Sequence, residues 1–166
     1  MDLKQIPILL LCLVSVWSCM HHSDQCCDEE QLIQRVQRKL KNRFPQPLDP
    51  PAADASPGPA KCPLELYQTL PAPAELNARS VSPWRYVNVN LTDHFPSTYV
   101  EAQCLCTGCI LFQDNKVVES HDYNSATVTQ TRIFLKRVRC PSGKGYKLEP
   151  VSVEVPVGCT CVRTNT

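Results

Sequence analysis

Five cysteines toward the C-terminal end, Cys104-x-Cys106-x-x-Cys109 and Cys159-x-Cys161, concentrate the reactive chemistry of this chain. Thiols so spaced have three uses. Cys106 and Cys109 stand at a zinc-ligand spacing, a Cys-x-x-Cys pair can exchange electrons in a βαβ setting, and clustered thiols in an oxidising compartment crosslink the chain. No βαβ pattern surrounds Cys106 and Cys109, and no paired His lies nearby. The four His (His21, His22, His94, His121) fall in the N-terminal arm or in turns. No Ser/His/Asp ordering, metal-binding helix or phosphate loop is visible, so neither an enzyme nor a cofactor is expected.

The compartment is read from the N-terminus. The apolar run Ile6 to Trp17 is twelve residues, enough for a signal-peptide core and too short to span a bilayer. It is followed by the small Ser18, so residues 1–18 are expected to be a signal peptide and the mature chain to be secreted, without membrane insertion. Cleavage after Ser18 would remove Cys12 and leave ten of the eleven cysteines, an even number. Seventeen Lys plus Arg against sixteen Asp plus Glu gives a net charge of +1, which offers no case for nucleic-acid binding.

Crosslinking then becomes the expected use of the thiols. In a strand, residues two apart point the same way and lie about 6.6 Å apart, whereas a disulfide needs converging Cβ vectors. Cys159 and Cys161 therefore need partners elsewhere, and the strand-and-turn carrying Cys104 to Cys109 offers them. Pairing Cys104 with Cys159 and Cys109 with Cys161 makes two adjacent staples. Each alone closes a loop of about fifty residues, worth roughly 4 kcal/mol in the chain-entropy model. A thin β core needs such staples or a partner subunit.

The elements that must position these cysteines read as strands. Trp84 to Leu91 alternates, Tyr99 to Cys106 forms a second strand, and Ile110 to Phe112 with Val117-Val118 flanks the turn Asp114-Asn115-Lys116. Ser125 to Arg139 is a long strand rich in Thr, Val and Ile. Tyr146 to Val157 returns after the hairpin Pro141 to Gly145. The expectation is an all-β fold of about five antiparallel strands. Upstream, residues 24–44 read as a short amphipathic helix with Ile33, Val36, Leu40 and Phe44 on one side, followed by six Pro between Pro45 and Pro59. This 19–61 extension is a candidate propeptide, dimer-wrapping arm or disordered tail, and Arg35-Val-Gln-Arg38 is a minimal processing-type site. The domain proper is expected over 62–166.

Ser80-Val-Ser-Pro-Trp-Arg-Tyr86, Phe95-Pro96, Glu101-Ala-Gln-Cys-Leu-Cys-Thr-Gly-Cys-Ile110 and Val155-Pro-Val-Gly-Cys-Thr-Cys-Val162 together resemble the interleukin-17 cytokines. The likeness covers about residues 80–162 and is greatest to the C and D types, with Arg85-Tyr86 leaning to C. The resemblance implies a cystine-knot-like fold of antiparallel strands that keeps two knot disulfides and lacks the third. Those two map onto Cys104–Cys159 and Cys109–Cys161. It also implies a dimeric cytokine that binds single-pass receptors with fibronectin-like ectodomains and drives inflammatory and host-defence signalling. Cys140 falls where some members carry a dimer-linking cysteine, and Cys62 is its expected partner, across chains or within one. Receptor contacts in this family form no short motif, so none is carried over. The alternative reading is a secreted, disulfide-stapled structural or protease-inhibitor module.

Asn90-Leu-Thr92 is an N-glycosylation sequon on the polar face of its strand. Arg132, Lys136, Arg137, Arg139, Lys144 and Lys147 form an acid-free stretch around the last hairpin, read either as a solvated edge or as a contact for receptor or heparan sulfate. Trp84, after Pro83, reads as a packed anchor.

Overall fold

The computed structural model describes residues 26–52, 60–68 and 75–164, so the expected signal segment, Cys12 and Cys19 lie outside the described residues. In chain order the elements are helix α1 (Glu29–Asn42), a 3-10 turn (Leu64–Tyr67), the short helix α2 (Leu76–Arg79), then β1 (Trp84–Asn90), β2 (His94–Phe95), β3 (Thr98–Cys104), β4 (Cys109–Gln113), β5 (Lys116–Ser120), β6 (Tyr123–Arg139) and β7 (Tyr146–Arg163). β1 pairs antiparallel with β3 from Trp84 opposite Cys104 to Asn90 opposite Thr98. β4 pairs antiparallel with β5, and a three-stranded sheet runs in the order β2-β6-β7. The architecture is all-β and cystine-knot-like, with few helices.

Among the described residues there are seven strands where about five were expected. One not foreseen, β2, lies in the Thr92 to Pro96 stretch read as a connection, and two residues are too few to show any periodicity. The last strand also runs on to Arg163, well past Val157, so Cys159 and Cys161 are both strand residues. The Asp114-Asn115 turn is a two-residue connection with φ of 48° and 64°, the conformation that matches hairpin twist and that Asp and Asn tolerate best.

The chain divides into two compact units. Of the described residues, the first gathers 26–47, Leu91–Ser97 and Ile133–Ser152. Asp28 caps α1 by accepting from the Gln31 N–H at 2.9 Å, with Glu29 and Glu30 in the first turn and Lys39 and Lys41 in the last, which complements the helix dipole. The helix buries Leu32 and Val36 against Leu135, Leu148 and Cys27, with Leu40 and Phe44 beside them. Ile33, expected on that face, is 49% exposed. Both Leu32 and Ile33 fit a helical stripe through Val36 and Leu40, and packing against the strands selects Leu32. Arg35 is 2% exposed in the same helix, while Arg38, the other basic residue of the processing-type motif, is exposed.

At the hairpin between β6 and β7, Gly145 has φ of +75°, and a β-carbon there would stand 2.6 Å from the Cys27 carbonyl oxygen. Its absence lets Cys27 and Tyr146 exchange two backbone hydrogen bonds, at 2.9 and 2.8 Å. The helical segment, read as a candidate propeptide, dimer-wrapping arm or disordered tail, packs in the core of its unit.

Of the described residues, the second unit gathers 48–52, 60–68, 75–90, Thr98–Arg132 and 153–164. Its interior is made by Tyr99, Val100, Ala102, Cys109, Ile110, Val155 and Cys159. Alternation within β1, where Asn88 and Asn90 are exposed and Val87 and Val89 partly covered, follows the sequence pattern.

Candidate functional site: the disulfide framework and its polar clasps

In the second unit, the face of β7 that carries Cys159 and Cys161 meets two strand ends. Cys104, the last residue of β3, is bonded to Cys159 with Cα atoms 5.8 Å apart, and Cys109, the first residue of β4, is bonded to Cys161 at 6.1 Å. Both separations lie in the range a disulfide accepts. Cys106, between them and buried, is bonded to Cys62 with Cα atoms 4.4 Å apart. In the first unit Cys140 is bonded to Cys26 at 6.2 Å. The expectation that Cys62 partners Cys140 is thereby corrected, because each sulfur already has a partner within the chain. The sequence held no local signal for this choice. It depends on which turn the Pro-rich segment reaches and on where α1 starts.

All nine described cysteines are disulfide-bonded. The zinc-like spacing of Cys106 and Cys109 consequently leads to no thiolate pair, since the two sulfurs bond different partners. Glu119 lies near the Cys62 and Cys106 sulfurs, with ligand-type atoms within 4.8 Å of one another, but bonded sulfurs offer no thiolate.

The work of Glu119 is done on the backbone. Its Oε1 accepts from Gly108 N at 2.7 Å, from Thr107 N at 2.8 Å and from the Thr107 hydroxyl at 3.0 Å, fixing the Cys106 to Cys109 loop. Partial burial pushes the Glu119 pKa up, but the hydrogen bonds from Gly108 and Thr107 and the charge of His121 outweigh it and hold the pKa below its ordinary value. A β-carbon at Gly108 would collide with the Ser120 carbonyl, so this loop needs glycine for close approach.

Trp84 lies opposite Cys104 and over Gly158, whose hypothetical β-carbon would touch its ring at 3.5 Å. It also meets Tyr86 edge-on at 6.4 Å. It is a packed anchor. The Tyr67 hydroxyl donates to the Ala78 carbonyl, and burial raises its pKa. This bond ties the 3-10 turn, itself anchored by Cys62, to α2. The same turn and the β4–β5 hairpin border a groove of about 620 Å³ that exposes Phe112.

The basic stretch is less free than its sequence implies. In the second unit Arg132 is buried and donates to Asp49 at 2.7 Å. In the first, Arg137 bonds Asp93 at 2.6 Å and Glu29 at 2.9 Å and lies over the Tyr146 ring, and Lys147 pairs with Glu149 at 2.6 Å. Lys136, Arg139 and Lys144 are exposed. Asn90 ends β1 and is exposed, its side-chain oxygen accepting from Thr98 at 3.2 Å. Asp49 and Glu119 are polar anchors the sequence did not announce, since an acid in a Pro-rich stretch or a strand has no pattern to betray its partner.

The model of the interleukin-17 family matches residues 80–163 of this chain. Human interleukin-17C is 34% identical over 96 residues, covering 54% of this chain and 48% of the relative. Human interleukin-17D is 39% identical over 89 residues, covering 52% and 42%. Interleukin-17F of Callithrix jacchus is 31% identical over 137 residues, covering 81% and 80%. The chain spans about half the length of the interleukin-17C relatives it matches. With the family model covering half the chain and one relative matched across most of its length, this chain belongs to the interleukin-17 family.

Proposed function

We propose that this chain is a secreted cytokine which, as a dimer, engages single-pass interleukin-17-type receptors and triggers inflammatory and host-defence signalling. Family membership over residues 80–163, the stretch that carries the stapled strand ends, is the observation that supports this most directly. In this reading residues 1–18 are removed, residues 62–166 form the cytokine domain, and residues 19–61 stay attached, joined to it through Cys26–Cys140. The dimer is held without Cys62 or Cys140, whose sulfurs are used within the chain. Lys136, Arg139 and Lys144 are the exposed charges left for a heparan sulfate or receptor contact, while Arg132, Arg137 and Lys147 are internally paired.

Binding of the mature protein to a panel of interleukin-17 receptor ectodomains tests the reading, together with sedimentation to give the assembly state. Saturable binding to at least one receptor by a two-chain particle is expected. A correctly disulfide-bonded protein that binds none of the panel would overturn it.

A further inference from the structure

In the second unit one carboxylate joins three separated parts of the chain. Asp49 Oδ1 accepts from Arg132 Nη1 at 2.7 Å, and Asp49 Oδ2 accepts from the Val100 N–H at 3.2 Å. Arg132 is 8% exposed, and its Nε is buried with no hydrogen-bond partner among the described residues. A buried guanidinium that still has a donor to place is costly unless an anion accepts from it. Val100 lies in β3, whose described pairing is with β1 alone, so this amide points away from its ladder. The two donors belong to the strands, whereas the acceptor is brought by Leu48-Asp49-Pro50, a segment with no regular structure whose Leu48 is 98% exposed. The acceptor sits on irregular chain with its side chain 30% exposed, whereas the donors sit on strands.

We propose that Arg132 and the Val100 N–H form a carboxylate-binding site, filled here by Asp49, that exchanges Asp49 for an acidic side chain of a protein partner. Two donors set at an angle suit the two oxygens of one carboxylate. The unpartnered Nε proton is a third donor on the same guanidinium. The inference stands on this geometry and does not depend on which receptor the cytokine binds.

The test uses the full mature chain carrying Asp49→Ala, with native disulfides verified by non-reducing mass mapping. Sodium acetate, titrated while the Val100 amide is followed by NMR, should shift that resonance saturably. Acetamide should not, and Asp49→Ala combined with Arg132→Met should lose the response. A fluorescent peptide of residues 46–52 should bind Asp49→Ala at least tenfold more tightly than the parent chain, and its Asp-to-Asn counterpart should bind neither. If Asp49→Ala does not fold, the peptide comparison is made with Asp49→Asn. Equal responses to acetate and acetamide, or equal binding of the Asp and Asn peptides, would show that these donors do not select a carboxylate and overturn the proposal.

Discussion

Cys26 is bonded to Cys140 with their Cα atoms 6.2 Å apart, which fastens the residue two before the α1 cap to the residue that follows β6. A segment that composition marks as an extension is thereby covalently part of the strand framework of its unit. Its loop spans a sequence separation of 114 residues, though the Cys62–Cys106 bridge inside that loop already shortens it.

Replacing Cys26 and Cys140 together by Ala should lower stability by about 2–4 kcal/mol, less than a 100-residue loop would give alone. Urea denaturation of the purified chain measures it. The same variant should leave the proportion of disulfide-linked dimer on a non-reducing gel unchanged. Loss of a covalent dimer on mutation would instead place Cys140 between chains.

Leu32→Ala should cost about 2–5 kcal/mol, because Leu32 is 1% exposed against Leu135 and Leu148. Ile33→Ala should change stability by no more than about 0.5 kcal/mol. Thermal denaturation of the two variants decides which residue faces the strands, and a larger loss at Ile33 would contradict the packing described.

Gly143→Ala and Gly145→Ala form a matched pair, since both positions have φ above +70°. The backbone conformation alone should cost each about 1–2 kcal/mol. Gly143 opens onto free space, whereas Gly145 faces the Cys27 backbone, so Gly145→Ala should be the more harmful by at least about 1 kcal/mol. Hydrogen exchange at the Cys27 and Tyr146 amides should quicken only in the Gly145 variant.

Glu119 should make part of the stability depend on acid. Its folded-state pKa is lowered below 4.5, so its contribution is fully present above that value and is lost as pH falls through the folded-state pKa. Glu119→Gln should flatten that part of the stability curve and leave neutral-pH unfolding less cooperative around the Cys106 to Cys109 loop. Superimposable acid titrations of variant and parent would remove the clasp from consideration.

Asn90 stands exposed at the end of its strand with Thr92 two residues on, open to a transferase. Protein secreted from eukaryotic cells should lose about the mass of one N-linked glycan on enzymatic deglycosylation, and Asn90→Gln should show no such loss. An unchanged mass in the parent would mean an unused sequon.

Features governed by near neighbours were legible in the sequence. Alternation places Val87 and Val89 against Asn88 and Asn90 because side chains of a strand point to opposite faces with a period of two. The Asp114-Asn115 turn follows from what those two residues tolerate at positive φ. The helix follows from apolar residues at helical spacing and from acids at its start and bases towards its end.

Tertiary structure decided everything that depends on distant segments. Leu32 rather than Ile33 is buried because strand residues one turn of chain cannot foresee supply the surface. Cys62 meets Cys106 and Cys26 meets Cys140 because disulfide formation needs Cα atoms within about 7 Å, a condition spacing along the chain does not report. For the same reason Arg132 and Arg137, which read as surface charge, are bound to Asp49 and to Asp93 with Glu29. Local chemistry determined which residues could become strands, staples and clasps, and long-range packing chose their partners.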